Sequence, residues 1–356
     1  MEMQISVRDF VEFLLRSGDI TRRGERVKED AMQEGARIHR LIQNRMGESY
    51  RAEVPIAHRI DCGEYTIKIE GRADGVISGE PLVIDEIKST YRDLDKITEP
   101  IPVHLAQARC YAYFYAETYR QREMGVRLTY CNIETEQIKY FEQTNTREEL
   151  ENWFMTLMSE YKKWTDFSYE WRKKRNASIR KVEFPFPYRD GQKELVTQVY
   201  QTICHKRKLF IQAPTGVGKT LSTIFPAVKA VGEGKADKIF YLTAKTITGS
   251  VAANALGLLR ENGLAYKSVV LMAREKICFM PEKDCDPETC PYAKGHFDRI
   301  NDAVFDLLVQ EERFDRDTIT GYAQKHLVCP FEMGLDISLF SDLIICDYNY
   351  LFDPYA

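Results

Sequence analysis

The chain has 356 residues, 44% hydrophobic and 29% charged, which suits two ordinary globular domains and is long for one. A formal net charge of -4 and a pI near 6.0 exclude a globally basic nucleic-acid coat, so any such surface is a local patch. No run approaches the ~20 apolar residues that span a bilayer, and Met1 to Asp9 lacks signal-peptide character, so a cytoplasmic protein without membrane contact is expected.

In chain order, residues 27 to 45 are rich in helix formers. Val54 to Ile60, Tyr65 to Glu70, Ala73 to Ile77 and Leu82 to Lys88 then alternate as a strand meander, with a tight turn at Asp61-Cys62-Gly63. Helical spacing returns over Val103 to Arg122. A hairpin is expected at Leu128–Ile133 and Gln137–Phe141, and a further helix from Arg147 to about Trp171. The basic run Trp171 to Lys181 and the helix-breaking Phe184-Pro185-Phe186-Pro187 mark a boundary. The expected organisation is domain one at 1–175, a basic linker at 176–183 and domain two at 184–356, with a cysteine-rich insertion at about 270–335.

In the first half, Gly71-Arg72-Ala73-Asp74-Gly75 ends a strand, and Glu86-Ile87-Lys88 lies on the next. Alternation puts Glu86 and Lys88 on one face and Ile87 on the other. Asp85 competes with Glu86 as a ligand, although its side chain points away on a regular strand. Asp74 and Glu86 are candidate ligands for magnesium or manganese, and Lys88 is placed to position an attacking water and offset charge on phosphate. His39, late in the first helix, supplies an imidazole to the same ion. Gln107 and Tyr111 lie four apart on one helical face.

His39, Asp74, Glu86-Ile87-Lys88 and Gln107 to Tyr111, in that order, resemble a PD-(D/E)XK nuclease of the RecB type over most of residues 30 to 115. The resemblance implies catalytic roles for Asp74, Glu86 and Lys88, metal binding by His39, Asp74 and Glu86, and DNA contacts by Gln107 and Tyr111.

In the second half, Ala213-Pro214-Thr215-Gly216-Val217-Gly218-Lys219-Thr220 is a phosphate-binding loop with Ala where the usual pattern begins with Gly. The glycines let backbone N–H groups turn toward phosphate, Lys219 reaches the β/γ oxygens, and the Thr220 hydroxyl is a magnesium ligand. Leu209 to Gln212 reads as the strand entering the loop and Leu221 to Val231 as the helix leaving it. The nucleotide site is expected to include Thr215, Gly216, Val217, Gly218, Lys219 and Thr220. Upstream, Tyr188 and Gln192 are spaced to stack on adenine and bond its edge, resembling the Q motif of superfamily 2 helicases. Lys238 to Thr246 is an apolar strand and a polar turn. In such helicases this turn grips the DNA backbone, which implies DNA contacts for Thr243, Lys245 and Thr246.

Cys278, Cys285, Cys290 and Cys329 are separated by six, four and thirty-eight residues. Thiolates at this density bind metal in a reducing compartment, and zinc and iron-sulfur both fit four of them. Zinc sites favour close Cys-x-x-Cys pairs, and the chain has none. The segment resembles the insertion of XPD/DinG-like superfamily 2 helicases, which implies a 4Fe-4S cluster on these four cysteines. Asp342 to Pro354 is similar to the stretch that follows the cluster in that family. Asp347 is not a Walker B residue, because Tyr348 stands where the glutamate belongs.

The expected fold class is α/β: a PD-(D/E)XK nuclease-like domain followed by a partial RecA-like P-loop domain with an iron-sulfur insertion. The expected function is that of an N-terminal portion of an ATP-dependent DNA helicase with a fused metal-dependent nuclease in DNA repair or recombination. Its partner is DNA that is single-stranded or has a single-stranded end. The family's Asp-Glu-Ala-His box and second RecA-like domain lie beyond residue 356, so ATP and DNA binding without hydrolysis or unwinding is expected of these residues alone. The alternative is a non-catalytic DNA clamp braced by a structural metal cluster.

Overall fold

The computed structural model describes all residues except 22–30, 215, 245, 283–284 and 354–356, and leaves aside the side chains of 31–32 and 246–248. The described residues divide into two units: 1–17 with 23–165, and 18–22 with 166–356. None of the described helices is long and apolar enough to cross a membrane.

The first unit runs β1 (Glu2–Ser6), α1 (Val7–Leu15), α2 (Ala31–Arg45), β2 (Tyr50–Asp61), β3 (Thr66–Ile77), β4 (Leu82–Thr90), α3 (Pro102–Tyr119), β5 (Glu123–Asn132), β6 (Ile138–Thr146) and the first half of α4 (Arg147–Lys181). Six strands form one sheet. β3 is a single strand where two were expected, and its two edges are used differently. Antiparallel β2 covers one edge from Thr66 to Ile77, with a single lapse opposite Asp74. The other edge is shared: parallel β1 pairs with residues 66–70 and antiparallel β4 with 75–77. Residues 71–74 therefore sit in a fork between β1 and β4, and the Asp74 side chain closes it by accepting the Ile87 N–H at 2.7 Å.

The parallel pair β4 and β5 is joined by α3 as a crossover. Ten consecutive or near-consecutive residues of α3, Ala106 to Ala116, are buried apart from Arg109, because the helix is packed on more than one side. Phe10, Phe114 and Phe154 bring α1, α3 and α4 into one aromatic contact set, with Phe114 and Phe154 edge-on at 5.2 Å.

The second unit contains the rest of α4, then α5 (Gln192–Cys204), α6 (Lys219–Gly232), β7 (Ile239–Thr243), α7 (Thr246–Glu261), β8 (Ser268–Val270), α8 (Arg274–Ile277), α9 (His296–Gln310), β9 (Arg313–Phe314), α10 (Arg316–His326), α11 (Pro330–Ser338), β10 (Leu343–Asp347) and α12 (Asn349–Phe352). Its described strands are all parallel, in the order β7-β10-β8-β9. The core joins Ile224, Phe225 and Val228 of α6 to Leu256 and Leu259 of α7, Tyr266, and Leu343 and Ile345 of β10.

Two expectations are corrected. The basic run at 176–183 is no linker: α4 continues to Lys181, and Arg175 and Ile179 are buried on the face that also carries Trp171. There Trp171 Nε1 and Arg175 Nη1 both donate to the Asp342 carboxylate, at 3.0 and 2.6 Å. Leu209–Gln212 forms no strand, and Phe210 is 94% exposed. Strand-like composition needs an adjacent edge to pair with, and these residues pair with none of the described strands.

Candidate functional site

In the first unit, the fork aims Asp74 at α2. His39 Nδ1 lies 3.2 Å from Asp74 Oδ1, while the other carboxylate oxygen is held by the Ile87 backbone. Glu86 and Lys88 share a face of β4, as expected, and Lys88 Nζ donates to Glu86 Oε1 at 2.9 Å. Glu86 is 2% exposed. Its second oxygen, Oε2, is buried without a hydrogen-bond partner.

Burial, then the nearby Asp74 carboxylate, push the Glu86 carboxyl up to about 8, against the opposing pull of Lys88 and His39. At His39 burial lowers the pKa, but the hydrogen bond to Asp74 and its charge outweigh this and raise it. Ile87 points to the opposite face, into a cluster with Ile38, Ile42 and Cys131.

Asp85 faces away from this group, as alternation requires. It takes two bonds from Arg127 at 2.9 Å each, one from Thr129 at 2.5 Å and one from Tyr50 at 3.0 Å. Its oxygens are fully used, which leaves Glu86 as the available carboxylate. Gly71 and Gly75 flank Asp74 because two phenols press on the strand. A Cβ on Gly71 would meet Tyr111 Oη at 2.5 Å, and one on Gly75 would meet the Tyr50 ring at 1.9 Å.

Gln107 and Tyr111 share a helix face, but that face is internal: they are 8% and 3% exposed. Gln107 Oε1 accepts from Lys88 Nζ at 3.0 Å, and Tyr111 bonds to Gln107 and to the Arg72 backbone. The expected direct DNA contacts are thereby corrected to an internal chain that orients Lys88.

In the second unit, Gly216 and Gly218 adopt φ of +88° and +75°, conformations that favour glycine, and α6 starts directly after the loop. Lys219 Nζ donates to the carbonyls of Ala213 and Pro214 at 2.9 and 2.8 Å. Thr220 lies in the first turn of α6, and Thr215 lies outside the described residues.

Gln192 is 6% exposed. It accepts from Arg189 N at 3.0 Å and donates to Val217 O at 3.1 Å, while the Arg189 side chain bonds Gly216 O. It therefore braces the loop rather than presenting a free amide edge to adenine. Tyr188 stacks on Phe184 at 4.5 Å and stays exposed on its other side.

Thr243 ends β7 and is buried, so the described backbone does not offer its side chain to a DNA strand. Lys245 and the Thr246 side chain lie outside the described residues.

None of the nine cysteines forms a disulfide. Cys278, Cys285, Cys290 and Cys329 line one cavity with Met280, Tyr292 and Ala293. Cys278 caps the end of α8 and Cys329 the start of α11, where Pro330 occupies the first helical position. Burial pushes the Cys329 thiol up to about 11. Arg274 Nη1 reaches Cys285 Sγ at 3.5 Å.

Among the described residues, no three His, Cys, Asp or Glu side chains converge tightly enough to hold an ion as they stand. The donor sets still suit the groups expected of them. Hard carboxylate oxygens, one of them buried and unbonded, match magnesium or manganese, and four thiols around one cavity match a thiolate-ligated centre.

Residues 263–356 match the family described as DEAD_2. The human protein named regulator of telomere elongation helicase 1 is 21% identical over 221 residues, which is 48% of this chain and 18% of that protein. A probable ATP-dependent helicase of Methanocaldococcus jannaschii, MJ0942, is 47% identical over 49 residues, 14% of this chain and 8% of that protein. A solved XPD helicase structure is similar over 48% of this chain and 29% of its own, at 19% identity and a TM-score of 0.32. The chain spans less than a fifth of the length of these two curated relatives. The family match and the curated relatives support a resemblance to XPD-like superfamily 2 helicases.

Proposed function

We propose that the chain joins a metal-dependent DNA nuclease unit of the PD-(D/E)XK, RecB type to an ATP-binding, XPD-like helicase unit with a 4Fe-4S centre. It acts on DNA with a single-stranded region in repair or recombination. The observation that carries the nuclease reading is the buried, unbonded Oε2 of Glu86 beside Asp74 and His39.

His39, Asp74 and Glu86 would hold magnesium or manganese. The ion, when bound, supplies Lewis-acid activation of the phosphodiester and of water. Glu86 would bind the ion as the carboxylate, through the oxygen that is now unbonded. Lys88, fixed between Glu86 Oε1 and Gln107, would offer its ammonium to the attacking water and offset negative charge developing on phosphate. Gln107 and Tyr111 keep Lys88 and the Arg72 backbone in register.

The helicase reading is supported by the DEAD_2 match and by the loop at 213–220 followed directly by α6. Cys278, Cys285, Cys290 and Cys329 would hold the cluster, which braces the segment between β8 and β10. Lys219 would exchange its loop carbonyls for nucleotide phosphate.

Cleavage of labelled single-stranded DNA by the purified chain with Mn2+, beside Asp74→Ala and Lys88→Ala, tests the nuclease reading. Metal-dependent cutting that both substitutions abolish supports it. DNA binding by folded wild type without any cutting would replace it with a clamp.

A further inference from the structure

The fork that turns Asp74 inward leaves a cleft on the α2 side of β3 that adjoins the metal ligands at His39 and extends beyond them. His39, Arg40 and Gln43 of α2 line it, with Glu53 of β2 and Arg72 of β3. Glu53 stands opposite Asp74, at the step where the pairing of β2 with β3 lapses. The register is the same on both sides of the lapse, so no inserted residue forces it. Glu53 nevertheless adopts φ of +56°, a left-handed conformation that costs a glutamate free energy.

That conformation brings the Glu53 carboxylate to two partners. Gln43 Nε2 donates to Oε1 at 3.0 Å, and Arg72 Nε lies 3.1 Å from Oε2. Gln43 Nε2 also donates to the Asp74 carbonyl at 3.0 Å, so the cleft and the metal carboxylate share one support. The Arg72 side chain is 65% exposed and that of Glu53 45%. Arg40 is exposed and has no ion-pair partner among the described residues.

We propose that Arg72, with Arg40 across the cleft, binds a phosphodiester of the DNA strand next to the one being cut, and that Glu53 holds the Arg72 guanidinium until this phosphate displaces it. The inference rests on the nuclease reading and names how that site grips its substrate. An exposed ion pair contributes little, because both groups stay hydrated and screened. A guanidinium meets phosphate oxygens through two charge-assisted bonds, so exchange of Glu53 for phosphate is favourable. Glu53 then faces the phosphate as a like charge and tunes affinity downward.

The test uses the full chain, with Ca2+ for equilibrium binding of a labelled single-stranded oligonucleotide across a salt series and Mn2+ for cleavage. Arg72→Ala is expected to weaken binding about tenfold and to flatten the logarithmic salt dependence by about 0.7, the signature of one lost phosphate contact on a single strand. KM rises while kcat stays within about twofold, since only binding outside the reacting centre is removed. Mn2+ affinity is unchanged.

Glu53→Gln is expected to tighten binding by about threefold, because a like charge leaves the cleft. It decides the matter if Arg72→Ala fails to fold. Wild-type affinity and salt slope in Arg72→Ala, or weaker binding in Glu53→Gln, overturns the proposal. If wild type binds but never cuts while Arg72→Ala still loses affinity and slope, the nuclease reading fails and the phosphate site stands.

Discussion

At the scale of single residues, neighbouring carboxylates on β4 have opposite fates. Asp85 is saturated by Arg127, Thr129 and Tyr50 in the interior, so it is structural. Removing one side of such a buried, hydrogen-bonded pair leaves an uncompensated charge. Asp85→Ala is therefore expected to cost about 3–5 kcal/mol in chemical denaturation of the first unit.

Glu86 carries the opposite prediction. Its pKa in the folded chain, about 8, lies above the ordinary carboxylate value. The stability linked to its proton is complete below the unfolded value of about 4.3 and is lost as pH rises toward 8. Glu86→Gln is thus expected to unfold at a higher denaturant concentration than wild type at pH 8 without metal. Mn2+ affinity of wild type should climb with pH and level off above about 8, because the ion displaces the Glu86 proton and, at lower pH, that of His39 as well.

At the scale of elements, the β3 fork makes the site. Gly75→Ala drives a Cβ into the Tyr50 ring, which is held by Asp85, and is expected to destabilise the unit by about 1–3 kcal/mol in thermal unfolding. Strand alternation in the sequence already put Glu86 and Lys88 on one face and Ile87 on the other. The fork itself was not legible, because it depends on β1 and β4, distant in sequence, sharing one edge of β3.

Four-residue spacing likewise showed that Gln107 and Tyr111 share a face but not that α3 buries it. The same spacing in Trp171, Arg175 and Ile179 was a missed sign that the basic run is a helix with one buried face. Leu209 to Gln212 has a strand's composition, and composition cannot supply the edge that a strand must pair with.

At the scale of the whole molecule, each unit has its own core and its own candidate site. The four cysteines share a cavity in the second unit, and the carboxylates share a fork in the first. Cys290→Ser is expected to remove iron and the visible absorbance of the anaerobically purified chain, while Mn2+-dependent cleavage stays within about twofold.

The central claim is that the unbonded oxygen of Glu86 awaits a divalent ion. Calorimetric titration of Mn2+ into the full chain at pH 8, beside Glu86→Gln and Asp74→Ala, addresses it most directly. The account predicts one site in wild type that both substitutions abolish without unfolding the chain. Wild-type Mn2+ binding by folded Glu86→Gln would contradict it.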